Sequence, residues 1–319
     1  TASSIPGSAM TDTSAAPIKL EKPRSQWRDV WVQFRQHKGA MVALVLLCVM
    51  AAFVLIGPLI WRIDPNFIDP DPVKMIRLRN KGPSWDHPMG TDQIGRDILA
   101  RMMFGGRISL AVATVAMLVA IFIGTTVGVL AGYFRRIDGL LMRLTDMFLA
   151  LPLLPLLLVM MFLFRDAAAK VLGPSMGTFL LIVLAIGVTS WMHSARIVRG
   201  EVLALKEREY VLAARSIGTP ARRIILRHIL PNVLSPVLVA ATLGIAAAII
   251  TESVLSFLGL GFPPDFPTWG RLLYDGVDAI RTYPERVVWP GIAISLTVLC
   301  VNYIGDGLRD ALDPRIRGR

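Results

Sequence analysis

The sequence predicts an all-α integral membrane protein with six transmembrane helices, and three observations lead there. Of 319 residues, 54% are hydrophobic, with a mean hydropathy of +0.57, above the roughly 45–50% apolar content of soluble domains. The apolar residues gather into runs close to the about 20 residues that a membrane helix needs. Most of the 34 lysines and arginines fall in alternate connections between those runs, the asymmetry that marks loops kept in the cytoplasm.

The elements follow in chain order. Thr1 to Pro17 is rich in Ser, Thr, Ala and Pro and has neither the basic nor the apolar region of a signal peptide. Residues 1–24 are expected to form a disordered cytoplasmic N-terminus. The first span, Gly39 to Trp61, and the long outer loop after it, Arg62 to Arg107, make up an N-terminal region of residues 25–107. Asp64, Asp69, Asp71, Asp86, Asp92 and Asp97 largely offset the basic residues of that loop. A core of residues 108–304 holds five further spans, at Ile108 to Tyr133, Phe148 to Phe164, Ser175 to Met192, Leu234 to Leu258 and Val287 to Tyr303. The second span carries Gly124, Gly128 and Gly132, a repeated GxxxG ridge that lets another helix approach closely in lipid. In the third, Pro152 and Pro155 are expected to kink or break the first turns. Residues 305–319 read as a cytoplasmic tail.

Orientation rests on the basic residues. Lys19, Lys22, Arg24, Arg28, Arg35 and Lys38 precede the first span, Arg135, Arg136 and Arg143 follow the second, a basic stretch runs from Arg196 to Arg227, and Arg309, Arg315, Arg317 and Arg319 follow the sixth. Placing these segments inside puts both termini in the cytoplasm. The basic residues are spread around apolar spans and accompany no nucleic-acid-binding fold, so the net charge of +11 reports topology and not nucleic acid.

Bond-making chemistry has no foothold. The chain contains no GxxxxGK[ST] loop, so if ATP drives this protein another chain binds it. His37, His87, His193 and His228 lie far apart without metal-ligand spacing, and no Ser sits in a GxSxG elbow. Cys48 and Cys300 lie inside apolar runs and form no CxxC pair. No cofactor or metal is expected in this chain. Glu252 stands out as the ionisable residue well inside a span, about 27 Å from the inner end of its helix at about 1.5 Å per residue. Such an acid faces protein or a water-filled path. Two roles are open for it, lining the outer part of a substrate route or pairing with an Arg of the outer loops. The outer segment Gly259 to Pro290, stiffened by Pro263, Pro264 and Pro267, suits a docking surface, a lid or a plain connector.

The most informative segment is the inside loop His193 to Pro231. Ala204 to Ile217 reads as one helix, Gly218 supplies a left-handed turn after it, and Pro220 opens a second short helix that ends before Pro231. Small Ala213 and Ala214 allow close approach, while Arg222, Arg223 and Arg227 can meet acidic groups or carbonyl ends on a partner. Pattern alone leaves two readings, a mechanical elbow for a partner protein or an amphipathic helix on anionic lipid.

The stretch Glu209-Tyr-Val-Leu-Ala-Ala-Arg-Ser-Ile-Gly218, followed by Arg223-Ile-Ile-Leu-Arg-His-Ile-Leu-Pro-Asn232, resembles the EAA loop of binding-protein-dependent ABC importer permeases. Ala213, Ala214, Gly218, Leu230 and Pro231 match that pattern, while Leu212 replaces its Glu and His228 its first Ile. Gly90-Thr-Asp-Gln-Ile-Gly-Arg-Asp97, Gly106-Arg-Ile-Ser-Leu110, Ser256-Phe-Leu-Gly-Leu-Gly261, Pro263 to Gly270 and Gly305-Asp-Gly-Leu-Arg-Asp-Ala-Leu-Asp-Pro314 look like hallmarks of the C-type permease of dipeptide, oligopeptide and nickel importers. The resemblance spans residues 25–317.

It implies a type I ABC importer permease fold, MetI-like, with a cytoplasmic coupling helix. It also implies a second homologous permease, two cytoplasmic ATPase subunits that bind ATP and Mg, an extracytoplasmic binding protein and an inner-membrane location. The coupling residues would be Ala213, Ala214, Gly218, Arg222, Arg223, Leu230 and Pro231. Di- or oligopeptides are the leading substrate, with nickel, opine or glutathione-like solutes as alternatives. A secondary transporter would call for more than one buried carboxylate and broken helices near the midplane, and a membrane enzyme for clustered catalytic side chains.

Overall fold

Apolar runs of this length leave the backbone no partner but itself in lipid, which forces helix. The structure, a computed structural model, describes residues 26–312, and among them the regular secondary structure is helical apart from one isolated bridge, Thr91 to Asp97. The expectations for residues 1–24 and for the tail beyond Leu312 fall outside the described residues.

A short helix α1 (Gln26–Gln36) stops at His37, whose Nδ1 accepts the Ala40 N–H at 3.0 Å and so caps α2 (Lys38–Leu55). With α3 (Gly57–Ile60) α2 makes the first span, Lys38–Ile60. The outer loop holds α4 (Pro72–Leu78) and ends at Asp97, which caps α5 (Ile98–Tyr133). At 36 residues, α5 is about 54 Å long and overruns a hydrocarbon core of about 30 Å. The expected start at Ile108 is therefore ten residues late: the strong Asp97 cap, with Ala100 N donating to its carboxylate at 2.6 Å, begins the helix outside the apolar stretch.

α6 (Arg135–Ala150) and α7 (Leu153–Leu172) meet at 85°, broken at Leu151 and Pro152. Proline disfavours helix in the residue before it and lacks an N–H, whereas Pro155 falls in the first turn of α7, where neither defect matters. The expected third span, Phe148 to Phe164, is thus corrected: Phe148 to Ala150 belong to α6, and the spanning helix starts at Leu153. α8 (Pro174–Leu205) runs well past Met192. Among the described residues, five helices are long and apolar enough to cross a membrane, and six spans result if the bent α6–α7 pair is one.

After α9 (Glu209–Ser216) and α10 (Ala221–Ile224), a π-helical turn, Ile225–Ile229, leads into α11 (Leu230–Phe257). α12 (Trp269–Val277) packs against α11 and α13 (Glu285–Leu312), which completes the bundle. Gly305 to Leu312 continue the last helix, so the tail expected from residue 305 is helical over its first part. There Gly307 lies against Phe34 and Ala40, locking α13 to α1 and α2.

Among the described residues, the α5–α8 pair is the most extensive helix packing. A Cβ on Gly124 would lie 2.6 Å from the Trp191 carbonyl oxygen, one on Gly128 2.6 Å from that of Ala195, and one on Gly132 2.7 Å from the Val202 Cβ. Beneath the outer face, Val112, Leu157, Met161, Ile182, Ile249 and Leu255 from α5, α7, α8 and α11 form the central core.

Candidate functional site

Three features could carry function: an elbow at one end of the bundle, a cleft at the α6–α7 break and a polar cluster under the outer surface.

The elbow begins where α8 ends. The single helix expected over Ala204 to Ile217 is broken at Lys206 to Arg208, where Lys206 N bonds Val202 O and Arg208 N bonds Leu205 O. This turn folds α9 back on the bundle, so that Val211 and Ala214 join Val198, Val202, Ile224 and Ile229 in a buried cluster. A straight helix would have carried both past the end of the core. α9 ends in a Schellman motif: Gly218 N donates to Arg215 O at 3.0 Å, Thr219 N donates to Ala214 O at 3.1 Å, and Gly218 adopts φ +77°.

The second short helix does not end before Pro231. Pro231 has no N–H to give the carbonyl one turn back, and the chain widens instead, with Leu230 N donating to Ile225 O across a π-turn. The result is one continuous helix from Ala221 to Phe257.

The two alanines separate. Ala214 is 9% exposed and packs inward, while Ala213 faces out beside Leu212 and Ile217, the latter 83% exposed. Arg222 and Arg223 are exposed and line an open groove with Pro220, Leu226 and Arg227. Leu230 is half-buried and Pro231 exposed. A small apolar knuckle edged by guanidinium groups therefore projects from the bundle. Behind it, the Arg215 guanidinium lies 5.9 Å from the Tyr133 ring and Lys206 Nζ donates to the Gly132 carbonyl, so the knuckle is braced against the end of α5.

The cleft, of about 540 Å³, opens where the helix breaks. Leu149, Leu151 and Leu153 from the break face Thr189 and His193 on α8 and Gly244 and Thr251 on α11. Irregular backbone at membrane depth is tolerated where it lines a cavity or is buried in protein. None of these residues was singled out for a route by sequence. The Thr189 and Thr251 hydroxyls donate back to Ala185 O and Ala247 O, so their polarity is masked in helix.

Glu252 lies elsewhere. It is 0% exposed, accepts hydrogen bonds from the hydroxyls of Ser109 at 3.1 Å and Ser256 at 2.7 Å, and neither lines the cleft nor pairs with an arginine. Both roles open to it from sequence assumed a side chain reaching beyond its own packing layer. The α5, α11 and α12 backbones close over it instead.

Above it, the outer loop is tied down by charge. Asp92 Oδ2 accepts from Arg96 Nε at 2.7 Å and from Arg101 Nη1 at 2.9 Å, and Arg101, 1% exposed, also reaches Asp275 at 3.4 Å. Burial alone would raise the Asp92 carboxyl, but the Arg101 and Arg96 guanidiniums and the backbone N–H groups of Arg96 and Ile94 outweigh it and hold the carboxyl below its ordinary value. Asp97 joins His87 at 2.7 Å and Trp61 at 3.2 Å. Two of the six acids that offset the charge of this loop in sequence, Asp92 and Asp97, are thus structural anchors.

Comparison with known proteins assigns the architecture. Residues 120–318 match the model of the binding-protein-dependent transport system inner membrane component, and residues 25–83 match the N-terminal TM domain of oligopeptide transport permease C. The oligopeptide transport system permease protein OppC of Bacillus subtilis is 38% identical over 301 residues, covering 93% of this chain and 92% of that protein. The dipeptide transport system permease protein DppC of Alkalihalophilus pseudofirmus is 39% identical over 294 residues, covering 92% and 91%. The glutathione transport system permease protein GsiD of Pectobacterium atrosepticum is 38% identical over 302 residues, covering 94% and 95%. Among solved structures, the inward-facing MetNI methionine ABC transporter superposes with a TM-score of 0.51 at 18% identity, covering 66% of this chain and 95% of that one, a likeness of fold. The chain is a multi-pass membrane protein and belongs to the binding-protein-dependent transport system inner membrane components, as a permease of the OppC and DppC kind.

Proposed function

We propose that this chain is one of two membrane subunits of an inner-membrane importer for di- and oligopeptides. Its partners are a second homologous permease, two cytoplasmic ATPase subunits that bind ATP and Mg, and an extracytoplasmic binding protein. It makes and breaks no bonds. The elbow carries the reading: a firm projection built on Gly218, with Ala213, Ile217, Arg222 and Arg223 turned outward at the foot of one continuous helix, is shaped to receive force from another protein. Leu230 and Pro231 form the junction through which that force enters α11. Both termini lie in the cytoplasm, on the side of the elbow, in keeping with its basic residues. The substrate crosses along the cleft at the α6–α7 break, whose apolar lining is interrupted by Ser190, Ser194 and His193.

The peptide substrate is supported by the names of the oligopeptide and dipeptide relatives. The glutathione relative favours a second reading in which the cargo is a short, modified peptide. Reconstitution into liposomes with and without the ATPases and binding protein tests the assignment. Uptake that requires both, together with peptides recovered by mass spectrometry from the purified binding protein, is the expected result. Uptake by this chain without ATPases would refute it in favour of a secondary transporter.

A further inference from the structure

The hydroxyls around Glu252 form a continuous hydrogen-bonded chain. Arg271 N–H donates to Thr268 Oγ1 at 3.1 Å, the Thr268 hydroxyl to Ser256 Oγ at 3.2 Å, and the Ser256 hydroxyl to Glu252 Oε1 at 2.7 Å. From the other side, Trp269 N–H donates to Ser109 Oγ at 3.2 Å, and the Ser109 hydroxyl donates to Glu252 Oε2 at 3.1 Å. Both branches end on the two oxygens of the same carboxyl. They start at the first turn of α12 and end on α11 and α5.

The backbones are as close as the hydrogen bonds imply. A Cβ on Gly270 of α12 would lie 2.6 Å from the Ser253 carbonyl oxygen of α11, and one on Gly105 of α5 2.7 Å from that of Pro267. α12 in turn reaches the outer loop through Arg271, Asp275, Arg101 and Asp92. At its other end α11 continues to Ala221 in the elbow, about 45 Å away at about 1.5 Å per residue. A buried carboxyl without a cation is an expensive way to fill space, and here it sits where the helix rising from the elbow meets the helix that carries the outer surface.

We propose that Glu252 is a positioning residue that fastens α12 to the outer end of α11, so that displacement of the elbow and rearrangement of the outer surface occur together. The inference rests on the importer reading. A Gln at this position brings an N–H₂ to a site where hydroxyl donors already point, so one branch has to turn away. The assay uses the complete complex in lipid nanodiscs and compares basal ATP hydrolysis with hydrolysis stimulated by the binding protein carrying its co-purified ligand. Glu252→Gln and Thr268→Val keep wild-type ATPase-subunit retention and basal rate and lose stimulation by about fivefold or more. Thr268→Ser, which keeps the hydroxyl, retains stimulation, and the Glu252→Gln, Thr268→Val double variant loses no more than either single change because both cut one chain. Stimulation unchanged in both single variants overturns the proposal. So does a parallel fall of basal rate, stimulated rate and complex yield, the mark of a packing role. A wild-type complex without stimulation overturns the importer reading itself, and this inference with it.

Discussion

Gly218 offers the sharpest test of the elbow, because the structure separates two reasons for a glycine. Its φ is +77°, yet a Cβ built on it meets nothing within 4 Å. Substitution is therefore penalised by backbone conformation alone and not by crowding. An alanine in the left-handed region costs about 1–2 kcal/mol, which lowers the weight of the native turn against its alternatives by a factor of roughly 5–30. Asparagine, which tolerates this region, costs less although it is larger, and β-branched valine costs more. The two bonds at stake are those from Gly218 N and Thr219 N to Arg215 O and Ala214 O. ATP-dependent uptake into proteoliposomes, normalised to the ATPase subunits retained on the complex, is expected to fall in the order Gly, Asn, Ala, Val. An order that follows side-chain size, with Ala above Asn, would refute the argument, as would full activity in Gly218→Val.

Other consequences follow from burial and charge. Ala214→Glu places a carboxylate among Val211, Ile224 and Ile229, at a cost of several kcal/mol, and is expected to lower the melting temperature and release the ATPases. Ala213→Glu on the outer face changes stability by only about 0.5 kcal/mol while weakening ATPase retention in pull-down. Trp269→Ala empties a fully buried site between α5 and α12 and costs roughly 3–5 kcal/mol in thermal denaturation. The Asp92 carboxyl is held below its unfolded value, so its contribution is complete above that value, near pH 4, and is lost as pH falls through the lower folded one. Protection from hydrogen exchange over residues 79–97, corrected for the intrinsic rate at each pH, is therefore expected to fall below about pH 4 in the wild type, whereas Asp92→Asn is less protected at neutral pH with a flatter acid response. Ala247→Phe, projecting into the cleft, is expected to reduce uptake of longer peptides before that of dipeptides.

Much of this was legible along the chain because its causes are local. The break at Pro152 follows from a missing N–H and a steric clash with the preceding residue. The left-handed turn at Gly218 follows from the absence of a Cβ. Pro231 shows the limit of such reasoning: the same missing N–H that predicts a helix end is accommodated by one π-turn, because the apolar residues on either side are held in a common core by Val198, Val202 and Val233. The break at Lys206 to Arg208 had no local signal, since no Gly or Pro stands there. Burial of Val211 and Ala214 supplies the reason for it, and burial belongs to the whole bundle.

The sequence by itself determined that the chain crosses the membrane, roughly where each span lies, and that the basic segment before Pro231 bends at Gly218. These depend on hydropathy, charge and backbone chemistry that each residue carries with it. Only the tertiary structure decided that Ala213 is exposed and Ala214 buried, that the second part of the elbow and the first turns of α11 are one helix, and that Glu252 is enclosed by Ser109 and Ser256 and does not face the cleft. The physical reason is the same in each case. Which way a side chain faces depends on what packs against it, and Ser109 lies far from Glu252 in sequence but at hydrogen-bonding distance in space.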